Sequence, residues 1–343
     1  MKIRTYRLQF RDPFGISRST GLHCDNVFVE LDGGWGEAAP TAYMRESRKT
    51  AENALKRIGV LDLPDLDCVE EVEAFVRRRV KGHPSARAAF DIALYDRLGR
   101  RLGIPLWKLF GRRPRPDMTT SFTIGIDTPE VMMRKVDAAN TFDILKIKLG
   151  RDIGHDLSIM RAIRRKVGSR RRLLADANGG WTLAEARRAL PVLADLGVEF
   201  IEQPLPRGAH EEVRRLRKTA PLPIILDEDS VTAADLPALV GVADGINIKL
   251  MKSGGLTEAR RMVAVARTLG FSVMIGCMIE SSVAITAAAH LAPFADYIDL
   301  DGNLLVTNDP FEGVRSDPRG RLTLQDLPGL GLRLRPEYST IFA

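Results

Sequence analysis

Ile144-Leu145-Lys146-Ile147-Lys148, Leu174-Ala175-Asp176, Phe200-Ile201-Glu202, Ile224-Ile225-Leu226-Asp227 and Ile246-Asn247-Ile248-Lys249 are short apolar runs that each end on a charged residue. Amphipathic stretches of helical length separate them. Strands alternating with helices build parallel sheets, and α/β barrels and open sheets carry their active sites at the C-terminal ends of such strands. Three carboxylates bracketed by lysines therefore mark the candidate site.

Working outward, strands are expected to start near Thr119, Ile144, Leu173, Glu199, Ile224, Gly245, Ser272 and Tyr297. Amphipathic helices such as Thr182 to Leu196 and Gly255 to Leu269 fall between them, and Thr182 with Glu185 forms a capping box. Charged ends on consecutive strands fit a barrel better than a doubly wound sheet, whose ligands gather at one switch point. Before Pro114 and Pro116 the pattern differs. Residues 2 to 10 and Val27 to Leu31 alternate with period two, and Gly33-Gly34 marks a hairpin. Phe14 to Asn26 reads as a loop long enough to be functional, a candidate lid. Ser47 to Ile58, Val69 to Val80 and Ala86 to Leu102 read as helices, the last capped by Gly103. The expected organisation is an α+β capping domain over residues 1–115, a barrel over 116–319, and a tail, 320–343, that returns to the capping domain.

The bulk composition narrows the function classes. A chain of 343 residues with 45% hydrophobic and 28% charged residues can bury a large core. No run reaches membrane-span length and the first residues lack a signal-like apolar stretch, so a cytoplasmic protein is expected. Cys24, Cys68 and Cys277 have no metal-ligand spacing and read as reduced thiols. The net charge of +7 is spread along the chain, and its densest cluster, from Arg161 to Arg172, reads as a solvated helical face. Nucleic-acid binding is kept only as the non-enzyme alternative, with strongly salt-dependent duplex binding as its signature.

The strand ends suggest a chemistry. Asp176, Glu202 and Asp227 close the third, fourth and fifth strands and converge on one side of the mouth, a hard-oxygen set that suits Mg²⁺ or Mn²⁺. Asp229 is a rival to Asp227 by period. The alternative for each carboxylate is to cap the following helix. Lys146 and Lys148 share a face of the second strand. Mutual repulsion and a nearby metal are expected to lower a lysine's pKa until it can act as a general base. Lys249 ends the sixth strand, opposite the second in a ring of eight, so two bases would face each other. Asp299 and Asp301, at the end of the eighth strand, favour a cation or belong to an Asp-Gly turn. Glu280, Ser281 and Ser282 either line the pocket or cap the next helix. No histidine falls on a strand end.

At this point the chain resembles the enolase superfamily, in its muconate-lactonizing subgroup, over its full length. The resemblance rests on Lys146-Ile147-Lys148, Asp176-Ala177-Asn178, Glu202-Gln203-Pro204, Asp227-Glu228 and Asn247 to Gly255, in that order and spacing. It implies a (β/α)7β barrel with a capping domain, a Mg²⁺ site at Asp176, Glu202 and Asp227, and acid/base lysines at Lys148 and Lys249 with Lys146 tuning Lys148. Gly276 to Ser282 and Asp299-Leu300-Asp301-Gly302 are similar to dipeptide epimerases of the Ala-Glu type, in which the aspartate pair holds the substrate's α-ammonium. On that resemblance Thr123, Arg18 and Met278 join Asp299 and Asp301 around a dipeptide, epimerised at its C-terminal residue through an enediolate, and a homo-oligomer is expected. The alternatives within the subgroup are a cycloisomerase, a succinylbenzoate synthase or an N-acylamino acid racemase. Ala-Glu epimerases carry an Arg-Gly-Ser-Arg-like run where this chain has Arg18-Ser19-Thr20-Gly21. The second arginine is absent, so no clear preference for L-Ala-L-Glu is expected.

Overall fold

The computed structural model describes residues 1–342. The chain opens with an antiparallel sheet of β1 (Lys2–Ile16), β2 (Ser19–Leu31) and β3 (Gly34–Ala38). The expected loop from Phe14 to Asn26 is instead hairpin: Phe14 pairs with Gly21 and Ile16 with Ser19, so only Ser17 and Arg18 turn. The alternation was broken by Asp12-Pro13 and Gly15, and the β1–β2 register shifts between Gln9 and Phe14. Helices α1 (Arg48–Gly59), α2 (Val69–Arg79) and α3 (Pro84–Leu102) follow, with Ser47 and Thr50 capping α1 reciprocally. Helix α3 lies so close to β3 that a Cβ on Gly36 would stand 1.8 Å from the Ala89 carbonyl oxygen, which is why the strand carries glycine there. A short α4 (Leu106–Leu109) leads to the barrel.

Eight parallel strands run in sequence order around the barrel: β4 (Phe122–Ile124), β5 (Ile144–Lys148), β6 (Arg172–Asp176), β7 (Val198–Glu202), β8 (Ile224–Leu226), β9 (Gly245–Lys249), β10 (Ser272–Gly276) and β11 (Tyr297–Asp299). The first begins three residues later than expected, because Thr119 bridges to Arg321 and Ser121 donates its N–H to Ile298 O at 3.0 Å across the seam between β4 and β11. The connecting helices are α5 (Pro129–Ala138), α6 (Ile153–Val167), α7 (Leu183–Asp195), α8 (His210–Arg217), α9 (Leu250–Ser253), α10 (Leu256–Thr268) and α11 (Ser282–Ala289). After β8 the connection shrinks to one 3-10 turn, Leu236–Leu239, instead of a full helix. The capping box of Thr182 and Glu185 opens α7 as expected. Arginines of the α6 cluster are not all solvated, since Arg164 donates to the Leu196, Gly168 and Arg171 carbonyls.

One end of the barrel is sealed. Ile144, Leu174, Phe200, Ile225 and Met274 form a separate apolar cluster closed by Tyr297. Because strand side chains alternate, the inward positions two and four residues further on are Lys146 and Lys148, Asp176, Glu202 and Asp227, at the other end. The residues after β11 return along the molecule: Gly329 bridges to Pro105, and a last turn, α12 (Ser339–Phe342), sets Phe342 against Tyr6, Phe28, Trp35 and Phe311.

Candidate active site

The open end of the barrel holds a cavity of about 610 Å³, roofed by the β1–β2 hairpin and by Ala39 to Tyr43. Lys148, Asp227, Lys249, Asp299, Asp301, Thr123, Met278 and Arg18 all line it. Lys146, Asp176 and Glu202 lie one layer deeper, each 0% exposed. Neighbouring strands fix this layering, since Lys148 pairs with Asp176 and Asp176 with Glu202 in the parallel ladder.

Charges alternate through the two layers. Lys148 Nζ lies 2.6 Å from Asp176 Oδ2, and Lys249 Nζ 2.8 Å from Asp227 Oδ2. Lys146 Nζ is 2.6 Å from Glu202 Oε2 and 2.7 Å from Asp299 Oδ2. The expected lowering of a lysine pKa presupposes a bound cation; among the carboxylates alone the direction at Lys146 and Lys249 is upward. Burial disfavours both ammoniums, but Asp299, Glu202 and Asp176 outweigh it at Lys146, and Asp227 and Glu202 at Lys249, so both are held above the ordinary lysine value. That expectation rested on the second lysine and a nearby cation and did not count the carboxylates in direct contact.

Among the described residues no three His, Cys, Asp or Glu side chains stand as a ready metal cage. The donor set nevertheless fits a hard divalent cation. Asp176, Glu202 and Asp227 are buried carboxylates on adjacent strand ends, and Glu202 Oε2 and Asp227 Oδ1 face lysines without making a hydrogen bond of good geometry. Buried carboxylates this close together need positive charge among them, which Lys146, Lys148, Lys249 and Lys252 supply here and a divalent cation would supply in the same way. The rival Asp229 is turned away: it accepts from Gln203 Nε2 at 2.7 Å, Gly208 N at 2.8 Å and His210 Nε2 at 3.0 Å.

Several supporting residues went unread. Asn247 Nδ2 donates to Glu202 Oε1 at 2.8 Å, a reach left open by Gly276, where a Cβ would stand 2.5 Å from Asn247 Oδ1. Gln203 Oε1 accepts the Asp227 and Glu228 amides at 3.0 Å each and so ties the end of β7 to that of β8. Asn178 and Gln203 hold φ values of +45° and +37°, rare for non-glycine residues and concentrated at functional sites. Lys252, wholly buried, donates to Asp227 O and Asn247 O. Tyr43 and His23 line the cavity from the capping side.

Arg18 crosses the mouth to give Nη1 to Asn178 O at 2.7 Å and Nη2 to Glu228 Oε1 at 2.8 Å. Opposite it, Ser121 Oγ donates to Asp299 Oδ1 and the Thr123 amide to Asp301 Oδ2, both at 2.6 Å. Burial raises both aspartates, but Lys146 and Lys148 hold Asp299 low, whereas burial and the charge of Asp299 push Asp301 up to about 7. Ser281 caps α11 and Glu280 accepts the Met278 amide at 2.8 Å, which resolves that segment as loop and cap, outside the cavity lining. Cys24 and Cys277 reach the cavity, and all three cysteines are free.

Residues 131–338 match the enolase C-terminal domain-like family, and residues 1–111 the mandelate racemase and muconate lactonizing enzyme N-terminal domain. The chain belongs to the enolase superfamily. It is 38% identical over 335 residues to an L-Ala-D/L-Glu epimerase of Bacteroides thetaiotaomicron, covering 95% of this chain and 86% of the relative. It is also 38% identical to a hydrophobic dipeptide epimerase of a Flavobacteria bacterium, over 96% of this chain and 97% of the relative. Among solved structures, a dipeptide epimerase from Cytophaga hutchinsonii, complexed with Mg and D-Ala-L-Val, superposes with a TM-score of 0.93 at 28% identity, over 98% of this chain and 96% of the other. The fold expected from the sequence, a barrel with an enolase-type capping domain, is the one found.

Proposed function

We propose that the protein is a Mg²⁺-dependent dipeptide epimerase that inverts the α-carbon of the C-terminal residue. The observation that carries this is one cavity with lysines on opposed strands, Lys148 and Lys249, and a buried aspartate pair, Asp299 and Asp301, at a third side. Full-length relatives named as dipeptide epimerases support it.

In this reading Asp176, Glu202 and Asp227 hold the cation, which when bound supplies the positive charge that stabilises an enediolate. The chain's own residues move the proton. Lys148 and Lys249 face the α-carbon from two sides, one removing the proton as neutral amine while the other returns one as ammonium. Lys146, locked between Glu202 and Asp299, keeps positive charge beneath Lys148 without reaching the substrate. Asp299 and Asp301 take the ammonium of the first residue, with Thr123 orienting Asp301. The hairpin and Met278 close the cavity above.

The alternatives from the same subgroup act on substrates that need no ammonium site. An aspartate pair lining the cavity offers a substrate ammonium a partner that those alternatives leave unused. The test is a dipeptide library in D₂O with Mg²⁺, read by mass for deuterium at the C-terminal α-carbon. Exchange should require the metal and stop in excess chelator. Lys148→Ala and Lys249→Ala should each lose epimerisation by about 10²–10⁴-fold, while one of them still exchanges the proton of a single epimer. Interconversion at the parent rate in either variant would sink the two-base reading.

A further inference from the structure

A second chamber adjoins the active-site cavity. We propose that it receives the side chain of the dipeptide's first residue and selects large apolar ones; the proposal rests on the dipeptide reading above. The chamber, about 420 Å³, lies between the hairpin, β4, α5 and the returning segment at Ser316 to Pro318. Its walls include Phe10, Phe14, Phe122, Phe142, Leu304 and Leu305, and the Phe122 and Phe142 ring centroids are 4.6 Å apart. Charge is kept out of the interior. Arg11, Asp12 and Asp317 line the chamber but are exposed to solvent. Lys135 is already neutralised, its Nζ 2.8 Å from Pro13 O and 3.2 Å from Asp127 Oδ2.

The position of the chamber relative to Asp301 carries the argument. Phe10, Phe14, Thr123 and Leu305 line both spaces, so the two meet along these four residues. Thr123 is also the residue whose amide meets Asp301, and Leu305 ends the 3-10 turn that begins directly after Asp301. The first residue of a dipeptide carries its ammonium and its side chain on one carbon. An ammonium anchored at Asp299 and Asp301 therefore leaves that side chain beside the residues the two spaces share. The β1–β2 ladder breaks between Gln9 and Phe14, and Phe10, inside the break, bridges instead to Val306. The ladder break thus turns two aromatic rings toward the place where the side chain arrives. An aromatic-walled space whose charged residues are solvent-exposed or already paired takes aliphatic or aromatic side chains and gives little to a carboxylate.

The test compares kcat/KM for L-Phe-L-Ala and L-Leu-L-Ala with that for L-Ala-L-Ala, in the parent and in Ala138→Trp. Ala138 is exposed on α5, lines this chamber and does not line the active-site cavity. The parent should favour the bulky first residues by about tenfold or more, the scale on which a pocket discriminates a few methylene groups. Ala138→Trp should erase most of that advantage and leave L-Ala-L-Ala turnover unchanged. Ala138→Leu, a smaller filling, should give an intermediate result and serves if the tryptophan variant folds poorly. Dipeptide turnover indifferent to the first residue, or an advantage that survives both substitutions, overturns this inference alone. Absence of exchange with every dipeptide overturns the epimerase reading and this inference with it.

Discussion

Two carboxylates two residues apart need not share a charge state. Asp299 is held low because Lys146 and Lys148 outweigh its burial, whereas burial and Asp299 itself push Asp301 up to about 7. An ammonium is attracted to Asp301 only when that carboxyl has lost its proton. As pH falls through about 7 the carboxyl takes the proton, and attraction for a substrate amine is lost. The expected result is that kcat/KM for a dipeptide declines on the acid side of that value. In Asp301→Asn it should be lower at neutral pH, by about 2–5 kcal/mol in transition-state terms, and should lose this acid limb. A limb that persists in Asp301→Asn with the same midpoint would assign it to another group. The places of these residues were legible because period two sends every second residue of a strand inward. Their proton states were not, because each depends on neighbours from other strands, as at Lys146, whose partners come from β7 and β11.

At the scale of the elements, the capping domain is fastened to the barrel by two acids that cap barrel helices. Glu37, at 0% exposure on β3, accepts from Ser281 N, Ser281 Oγ and Ala284 N at the start of α11. Asp91, on α3, accepts from Thr257 N at 3.0 Å and Thr257 Oγ1 at 2.6 Å at the start of α10. Gly255, at φ +122°, makes room for it, since a Cβ there would stand 2.3 Å from Asp91 Oδ2. A carboxylate suits a helix N-terminus, yet burial raises Asp91 from 3.8 to about 7 against the pull of the Thr257 hydrogen bonds. A raised folded-state value means that the native state holds a proton the unfolded chain has released. Its stabilising effect is full below about pH 4 and is lost as pH rises through about 7. Asp91→Asn should therefore gain stability relative to the parent across that window, by on the order of 2–4 kcal/mol at most. Urea midpoints at pH 5 and pH 8 check it, and an unchanged difference between the two proteins would refute it. The caps of α1 and α7 were readable because both partners lie within one turn. Those made by Glu37 and Asp91 join residues more than 160 positions apart, and no local pattern records them. The hairpin was misread for a related reason. Its distal half is held by contacts outside itself, Ile126 N to Gly15 O at 2.8 Å and Arg18 to Asn178 O, so its composition alone resembled a loop.

For the whole molecule, the even spacing of apolar runs disclosed eight strands in order, because each βα unit is a local object with its own period. What surrounds the barrel is assembled from distant pieces. Phe342 lies 5.2 Å, 5.3 Å, 5.6 Å and 5.9 Å, ring centroid to ring centroid, from Phe28, Phe311, Tyr6 and Trp35. These rings come from β1, β2, β3 and two returning segments, and Phe342 is 2% exposed. Removing it leaves a void among four aromatic neighbours, so Phe342→Ala should cost about 3–5 kcal/mol. The cluster stands on the same sheet whose hairpin roofs the active site. Loosening its anchorage should therefore act on substrate capture before it acts on chemistry, since Lys148 and Lys249 are fixed by barrel strands that the cluster does not touch. The expected outcome for Phe342→Ala is a lower midpoint in thermal and urea unfolding, with KM for a dipeptide raised more than kcat is lowered. Phe342→Leu, which refills most of the void, should restore both. A variant that loses stability while KM and kcat change in equal proportion would show that the roof does not depend on this cluster for its position.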